Sequence, residues 1–451
     1  MKSSSADRFL FEKMSVPRAV FTLALPTILS QLVTMIYNLA DTFFIGQLGS
    51  PAMVASVSIV YPYFNLLTAI GNLFGIGGSS LVSRFLGSGR RDEIKRVASF
   101  SFWAGIIFTL LFSLFSYLLS DEVLLLLGAS SSSLSYAKSY LFYTVVIGGI
   151  PTMSAMTLSH LLRGEGRSKE AGIGMMLGGL LNIALDPIFI FIFGMGVKGA
   201  ALATLLSNIF SLFYFLFVLY SLRKNTCVHI SPLDFTFSYT KDIFSVGIAS
   251  FLATTLSNLS NMAIVKLASL YGDIPVAAYG IVKKVDMLPT NICMGLCQGF
   301  MPLVGYNYAA GNIKRMHKVS LFSWMSAFIL SALFALVYIL FANGVLHIFI
   351  KEPETASLGA TFLRIASLAL PFTAINFLVS YTLQAMGKGI ESAVITISRQ
   401  GIFTIPLLIL INYLFGLYGM IWVQLIVELL MLPISLGIYA HTLKKTKKKY
   451  A

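Results

Sequence analysis

The chain has 451 residues, of which 57% are hydrophobic and 11% charged, with a mean hydropathy of +0.83. A soluble globular chain carries roughly 25% charged residues, so a water-soluble fold of this length could not hide its apolar side chains. The net charge of +14 does not mark a nucleic-acid binder, because the cations fall between long apolar blocks, where they act as topology signals.

A hydrocarbon core about 30 Å thick is crossed by about 20 apolar residues in a helix. Lipid requires each segment to satisfy its own backbone polar groups, which helices do. A porin-like barrel would show alternating segments of about 10 residues, and that pattern is absent. Twelve spans are expected, at 17–45, 53–83, 97–119, 135–161, 170–193, 197–221, 241–270, 275–307, 319–342, 357–385, 392–413 and 417–441. The fold class is therefore all-α integral membrane. The basic start (Lys2, Arg8, Lys13, Arg18) runs straight into a full-length span, so it reads as an uncleaved anchor rather than a leader.

Taking the N-terminus as cytoplasmic and alternating, the inside segments collect 24 of the 32 Lys and Arg residues, among them Arg84, Arg90, Arg91, Arg163, Arg167, Lys314, Arg315, Lys388 and the tail lysines 444–449. The outside turns hold Lys138, Lys198 and Lys351. This asymmetry is the positive-inside signal and predicts an inner-membrane protein with both termini in the cytoplasm. The basic balance is then a topology signal beside anionic lipid.

The two halves repeat at an offset of about 222 residues. Asn38–Asp41 aligns with Asn261–Ile264, Gly49 with Gly272, Gly89–Val97 with Gly311–Val319, Gly164–Gly166 with Gly387–Gly389, and Gly194 with Gly416. Six spans per repeat leave both halves in the same orientation. The predicted organisation is an N-terminal segment (1–16), a six-helix bundle (17–221), a polar linker (222–240), a second bundle (241–441) and a basic tail (442–451).

Acidic groups at helix centres cost roughly 2.5–3.5 kcal/mol on insertion scales, so each needs a reason. Four lie well within spans: Asp41, Asp186, Asp286 and Glu428. In the first span Gln31, Thr34, Asn38 and Asp41 share one helical face. In the fifth, Asn182 and Asp186 are spaced i,i+4, and Pro187 frees a carbonyl and favours a kink. In the sixth, Thr204 and Asn208 are also i,i+4. Carboxylate, amide and hydroxyl oxygens suit a hard cation such as Na+, and neighbouring carboxylates can hold a proton. The repeat sharpens this: Asp41 stands opposite Ile264 and Asp186 opposite Leu408, so the scaffold recurs without its carboxylates. Asp286 and Lys283 are i,i+3 and read either as an internal ion pair or as cavity lining. Met287, Met294 and Met301 recur every seven residues on that span, where thioethers either pack or line a cavity that accepts many shapes. Asn258 adds a polar group to the seventh span, whereas Glu428 stands alone in the last.

Cys227, Cys293 and Cys297 form no metal-binding spacing and read as reduced packing residues. Gly71, Gly75, Gly77 and Gly78, with Ser79 and Ser80, read as close helix packing. No Walker motif, catalytic triad or cofactor fingerprint is present, so neither an enzyme nor an ATP-driven pump is indicated.

The stretches LALPTILSQLVTMIYNLADTFFIGQLG (23–49), GIGGSSLVSRFLGSGRRDE (75–93), LRGEGRSKEA (162–171) and LNIALDPIFIF (181–191) resemble the multidrug and toxic compound extrusion (MATE) transporters, from Pro17 onward. The resemblance implies two pseudo-symmetric six-helix bundles in a V shape, working by alternating access. In one branch of that family the cation site lies in the N-terminal bundle, at positions matching Asp41, Asn182, Asp186 and Thr204. The other branch carries a Glu in the seventh span and an Asp in the tenth; here those spans offer Thr254, Thr255, Asn258 and Asn261, and Asn376 and Gln384. The implied function is secondary active efflux of amphipathic, often cationic small molecules against inward Na+ or H+, by a monomer with no cofactor. The alternative is a flippase for a lipid-linked or oligosaccharide precursor, which would favour a cavity lined by cations such as Lys266, Lys283, Lys284, Arg364 and Arg399.

Overall fold

The computed structural model describes residues 9–450; Lys2 and Arg8 of the basic start, and the side chain of Lys449 in the tail, lie outside the described residues. The described chain is helical and without strands. The spans are α1 (Val16–Gly46), α2 (Pro51–Gly87), α3 (Ile94–Leu118), α4 (Leu134–Ile147 with Gly149–Gly164), α5 (Ser168–Ile192), α6 (Gly196–Ser221), α7 (Thr240–Ala268), α8 (Asp273–Ala309), α9 (Ile313–Phe349) and α10 (Pro353–Ser367 with Leu370–Ala385). The last apolar helical stretch, Gly389–Lys448, is interrupted at Gly416 (φ 63°, ψ −152°), which divides it into α11 (389–415) and α12 (417–450). Twelve spans result among the described residues.

Two of the spans are bent. α4 turns by 48° and α10 by 46°. In α4 the backbone widens over Phe142–Ile147 before Gly148. A run of β-branched residues, Thr144–Ile147, crowds the preceding turn there, and widened turns are a recognised cause of kinks. In α10 the second piece begins at Leu370-Pro371, where proline supplies no N–H and is favoured in a first helical turn. At Pro187 the helix of α5 passes into a widened stretch, Ile188–Ile192.

Helices of each half pack mainly on one another, α1 on α5, α2 on α4, α9 on α10 and α10 on α12. The halves meet along α1–α8 and α2–α7. These crossings are close because glycines line them. A Cβ on Gly295 would stand 2.5 Å from the Ile28 Cα, and Gly299, one turn on, faces Ala24 as tightly. Gly77 and Gly247 meet the Ile243 and Leu73 carbonyls in the same way.

The halves are tied at the basic end. Arg163 donates to the Gln298 side-chain oxygen at 3.0 Å, and Ser80 Oγ donates to the Gln384 carbonyl at 2.6 Å. The segment Phe9–Lys13 straddles this seam. Phe11 stacks on Tyr306 (4.5 Å between rings) and sits beside Gly166. Its carbonyl accepts from Asn307 (3.2 Å) and Arg315 (2.8 Å), and Tyr306 donates to Glu12 at 2.6 Å. The linker is fastened as well: Trp103 Nε1 donates to the Ile230 carbonyl (2.9 Å), Lys95 pairs with Asp234 (2.8 Å), and Glu165 accepts from Thr226 and from the Cys227 amide, each at 2.5 Å.

The repeat is visible in helix endings. Gly166 N–H bonds the Arg163 carbonyl and Arg167 N–H the Leu162 carbonyl; Gly387 and Lys388 do the same with Gln384 and Leu383. Gly166 (φ 92°) and Gly387 (φ 74°) are left-handed, as this closing motif requires. The structural match is thus Gly166 with Gly387, two residues away from the alignment read off the sequence.

Candidate functional site

α1, α5 and α6 lie side by side and carry the predicted oxygen ligands inward. Asp186 is fully buried, Asn182 is 1% exposed, Thr204 8% and Asp41 9%. Asn182 Nδ2 donates to Thr204 Oγ1 at 3.3 Å, joining α5 to α6. Asp41 Oδ2 accepts from the Tyr140 hydroxyl at 3.2 Å, joining α1 to α4. Four oxygens remain without a hydrogen-bond partner: Asp41 Oδ1, Asn182 Oδ1 and both carboxylate oxygens of Asp186. Asp41 and Asp186 interact electrostatically with each other and with Tyr37 and Tyr140. Buried acceptors left unpaired in apolar surroundings are costly, and a bound proton or hard cation would satisfy them.

Asp41 and Thr204 open onto a cavity of about 290 Å³, which Tyr37, Asn38, Tyr61, Phe64, Tyr140, Lys284 and Met287 also line. Asp186 and Asn182 lie outside its lining. Among the further sequence candidates, Asn38 and Met287 line this cavity. Thr34 bonds back to the Ser30 carbonyl (2.9 Å), while Gln31 and Asn208 are half-buried and line neither main cavity. Asn258 accepts from Asn65 across the halves at 3.4 Å. Met294 Sδ accepts from the Tyr381 hydroxyl at 3.8 Å.

A second cavity, about 260 Å³, lies within the C-terminal half among α7, α8 and α10–α12. Asp286, Lys283 and again Met287 line it, together with Arg399 and Glu428. Glu428 is not isolated: Arg399 pairs with it at 3.2 Å and Asn376 donates to it at 2.7 Å. No ion pair joins Lys283 to Asp286 among the described residues. Sequence reasoning missed Tyr37, Tyr61 and Tyr140, whose hydroxyls in apolar spans were the available signal. It also missed the Arg399–Glu428 pair, signalled by single opposite charges in consecutive spans. No cluster of three or more His, Cys, Asp or Glu side chains capable of holding a metal occurs among the described residues; the N-terminal site has two carboxylates, an amide and a hydroxyl.

Twelve apolar helices around polar cavities with buried carboxylates define a multi-pass membrane transporter. The MatE family matches residues 26–188 and 249–410, one block in each half, and the chain belongs to that family. It is 32% identical over 423 residues to the multidrug export protein MepA of Staphylococcus saprophyticus, covering 93% of this chain and 92% of the relative. The same protein of Staphylococcus haemolyticus is 32% identical over 427 residues, with the same coverage. Among solved structures, the outward-facing conformation of a multidrug resistance MATE family transporter of the MOP superfamily superposes with a TM-score of 0.93 at 25% identity, covering 99% of this chain and all of the other. A MATE structure in the bent conformation gives 0.90 at 24% identity and full coverage of both chains.

Proposed function

We propose that this chain is a secondary active efflux transporter that moves amphipathic, often cationic compounds outward against inward flow of Na+ or H+. The coupling site is Asp41, Asn182, Asp186 and Thr204. The observation that carries this reading is the group of four unpartnered buried oxygens on α1 and α5, beside a cavity large enough for a small organic molecule. One cation moving inward through 100 mV releases about 2.3 kcal/mol, apart from its concentration gradient, so export needs no nucleotide. The likeness to MepA multidrug export proteins supports the substrate class.

The two halves, 17–221 and 241–441, act as bundles that rock about the α1–α8 and α2–α7 seams to expose the cavity to each side in turn. The chain sits in the inner membrane as a monomer, with both termini and the linker in the cytoplasm. Of the cations that a flippase cavity would gather, Lys283 and Arg399 border one cavity and Lys284 the other. Arg399 is paired with Glu428, and Arg364 donates to the Ile339 carbonyl at 3.4 Å. That division weighs against the lipid-linked precursor reading.

The test is efflux of ethidium from proteoliposomes under an imposed Na+ or H+ gradient. Wild type is expected to respond to one gradient, which names the ion, and Asp41→Asn or Asp186→Asn to abolish the response. Gradient-driven transport that survives both substitutions overturns the site.

A further inference from the structure

We infer that the cavity inside the C-terminal half is a second ligand site, and that it takes a compact zwitterion, a molecule carrying both a carboxylate and an ammonium group. This goes beyond the export reading, which uses only the N-terminal oxygens.

Of the four charged side chains lining the cavity, Arg399 and Glu428 satisfy each other at 3.2 Å, with Asn376 completing the carboxylate. Lys283 and Asp286 interact electrostatically with each other but close no ion pair among the described residues. They stand one helical turn apart on α8 and face the same space. Asp286 is 8% exposed, yet neither an ion pair nor a hydrogen bond reaches it among the described residues. The Lys283 ammonium lies over the Tyr279 ring at 5.6 Å. Sequence spacing is not the obstacle, since Arg96 and Glu93 close an ion pair at 3.1 Å with the same i,i+3 separation. The hydroxyl of Thr373, on the opposite wall, is likewise buried without a partner.

A cation and an anion that share one cavity without closing an ion pair set the ligand's chemistry. A simple cation would satisfy Asp286 and be repelled by Lys283, and a simple anion would meet the reverse. A zwitterion neutralises both, and each buried charge then recovers part of its desolvation cost. A volume of about 260 Å³ lies just under the roughly 300–1,000 Å³ of ordinary ligand pockets, so the molecule is compact. Phe362 and Phe377 border the cavity, the latter under the Arg399 guanidinium at 4.2 Å. Met287 borders both cavities, which puts the site next to the transport route.

The experiment compares two fluorescent probes on the full-length protein in detergent: ciprofloxacin, a zwitterion, and its methyl ester, which keeps the amine and loses the carboxylate. Wild type is expected to bind the acid more tightly than the ester. Lys283→Met should weaken acid binding by about tenfold to a hundredfold, the usual range for a charge-assisted hydrogen bond, and tighten binding of the ester, whose repulsion from the ammonium it removes; Asp286→Asn should weaken both. A Lys283→Met protein that keeps the wild-type preference for the acid overturns the proposal. Should either variant fold poorly, Gln424→Cys in a cysteine-free background gives a second readout, because Gln424 lines the same cavity. Ciprofloxacin should slow its alkylation by maleimide, and an unchanged rate overturns the site. Neither measurement needs an ion gradient, so the outcome is independent of whether Asp41 and Asp186 couple export.

Discussion

At the residue scale, the buried ionisable groups follow two different logics. Glu428 is completed by Arg399 and Asn376, whereas Asp186 is fully buried and its oxygens have no hydrogen-bond partner. Removing one member of a buried pair strands the other charge at a cost of about 3–5 kcal/mol, whereas replacing both by apolar groups is often neutral. Arg399→Met is therefore expected to lower the unfolding temperature of the purified protein clearly. The double variant Arg399→Met/Glu428→Leu should recover most of that loss, as read by thermal unfolding in detergent. The positions of Asp41, Asn182, Asp186 and Thr204 were legible in the sequence because polar groups in apolar spans are expensive and these stand at helical spacing. The Tyr140 contact to Asp41 was not, since it links residues 99 apart on different helices and no local period records it.

At the element scale, α8 is shaped for close approach. Its Gly295-Leu-Cys-Gln-Gly299 stretch presents small residues one turn apart to α1, the arrangement that lets membrane helices touch backbone to backbone. The spacing is plain in the sequence, although the partner helix is not. The glycines of α2 did read correctly as packing positions, and Gly75, Gly77 and Gly78 each face another helix closely. The bends in α4 and α10 escaped sequence reading because hydropathy records length and polarity, not backbone direction. Gly295→Leu is expected to force α1 and α8 apart. Spin labels placed at the basic ends of the two halves should show a longer mean distance by pulsed electron resonance in this variant than in wild type. An unchanged distribution would mean that the seam yields elsewhere.

At the scale of the whole molecule, the count and order of spans followed from hydropathy alone, and the repeat from five matched glycine or polar positions. The structure moved one of those matches by two residues, because it is the left-handed φ of Gly166 and Gly387 that corresponds. Orientation rests on the distribution of cations. Single cysteines replacing Arg91 or Lys314 are expected to react with a membrane-impermeant maleimide only from the cytoplasmic side, and those replacing Lys138 or Lys351 only from the outside. Labelling of intact cells against inverted vesicles reads this directly, and the reverse pattern would invert the proposed direction of export.

The segment Phe9–Lys13 touches both halves at their basic end, resting beside Gly166 on one and on Tyr306 and Arg315 of the other. Reporter design is thereby constrained. A bulky fluorescent protein or surface tether joined just ahead of Phe9 would pull on a short piece of chain that rests on both halves, whereas the same cargo joined behind Tyr450 would hang from the far end of α12.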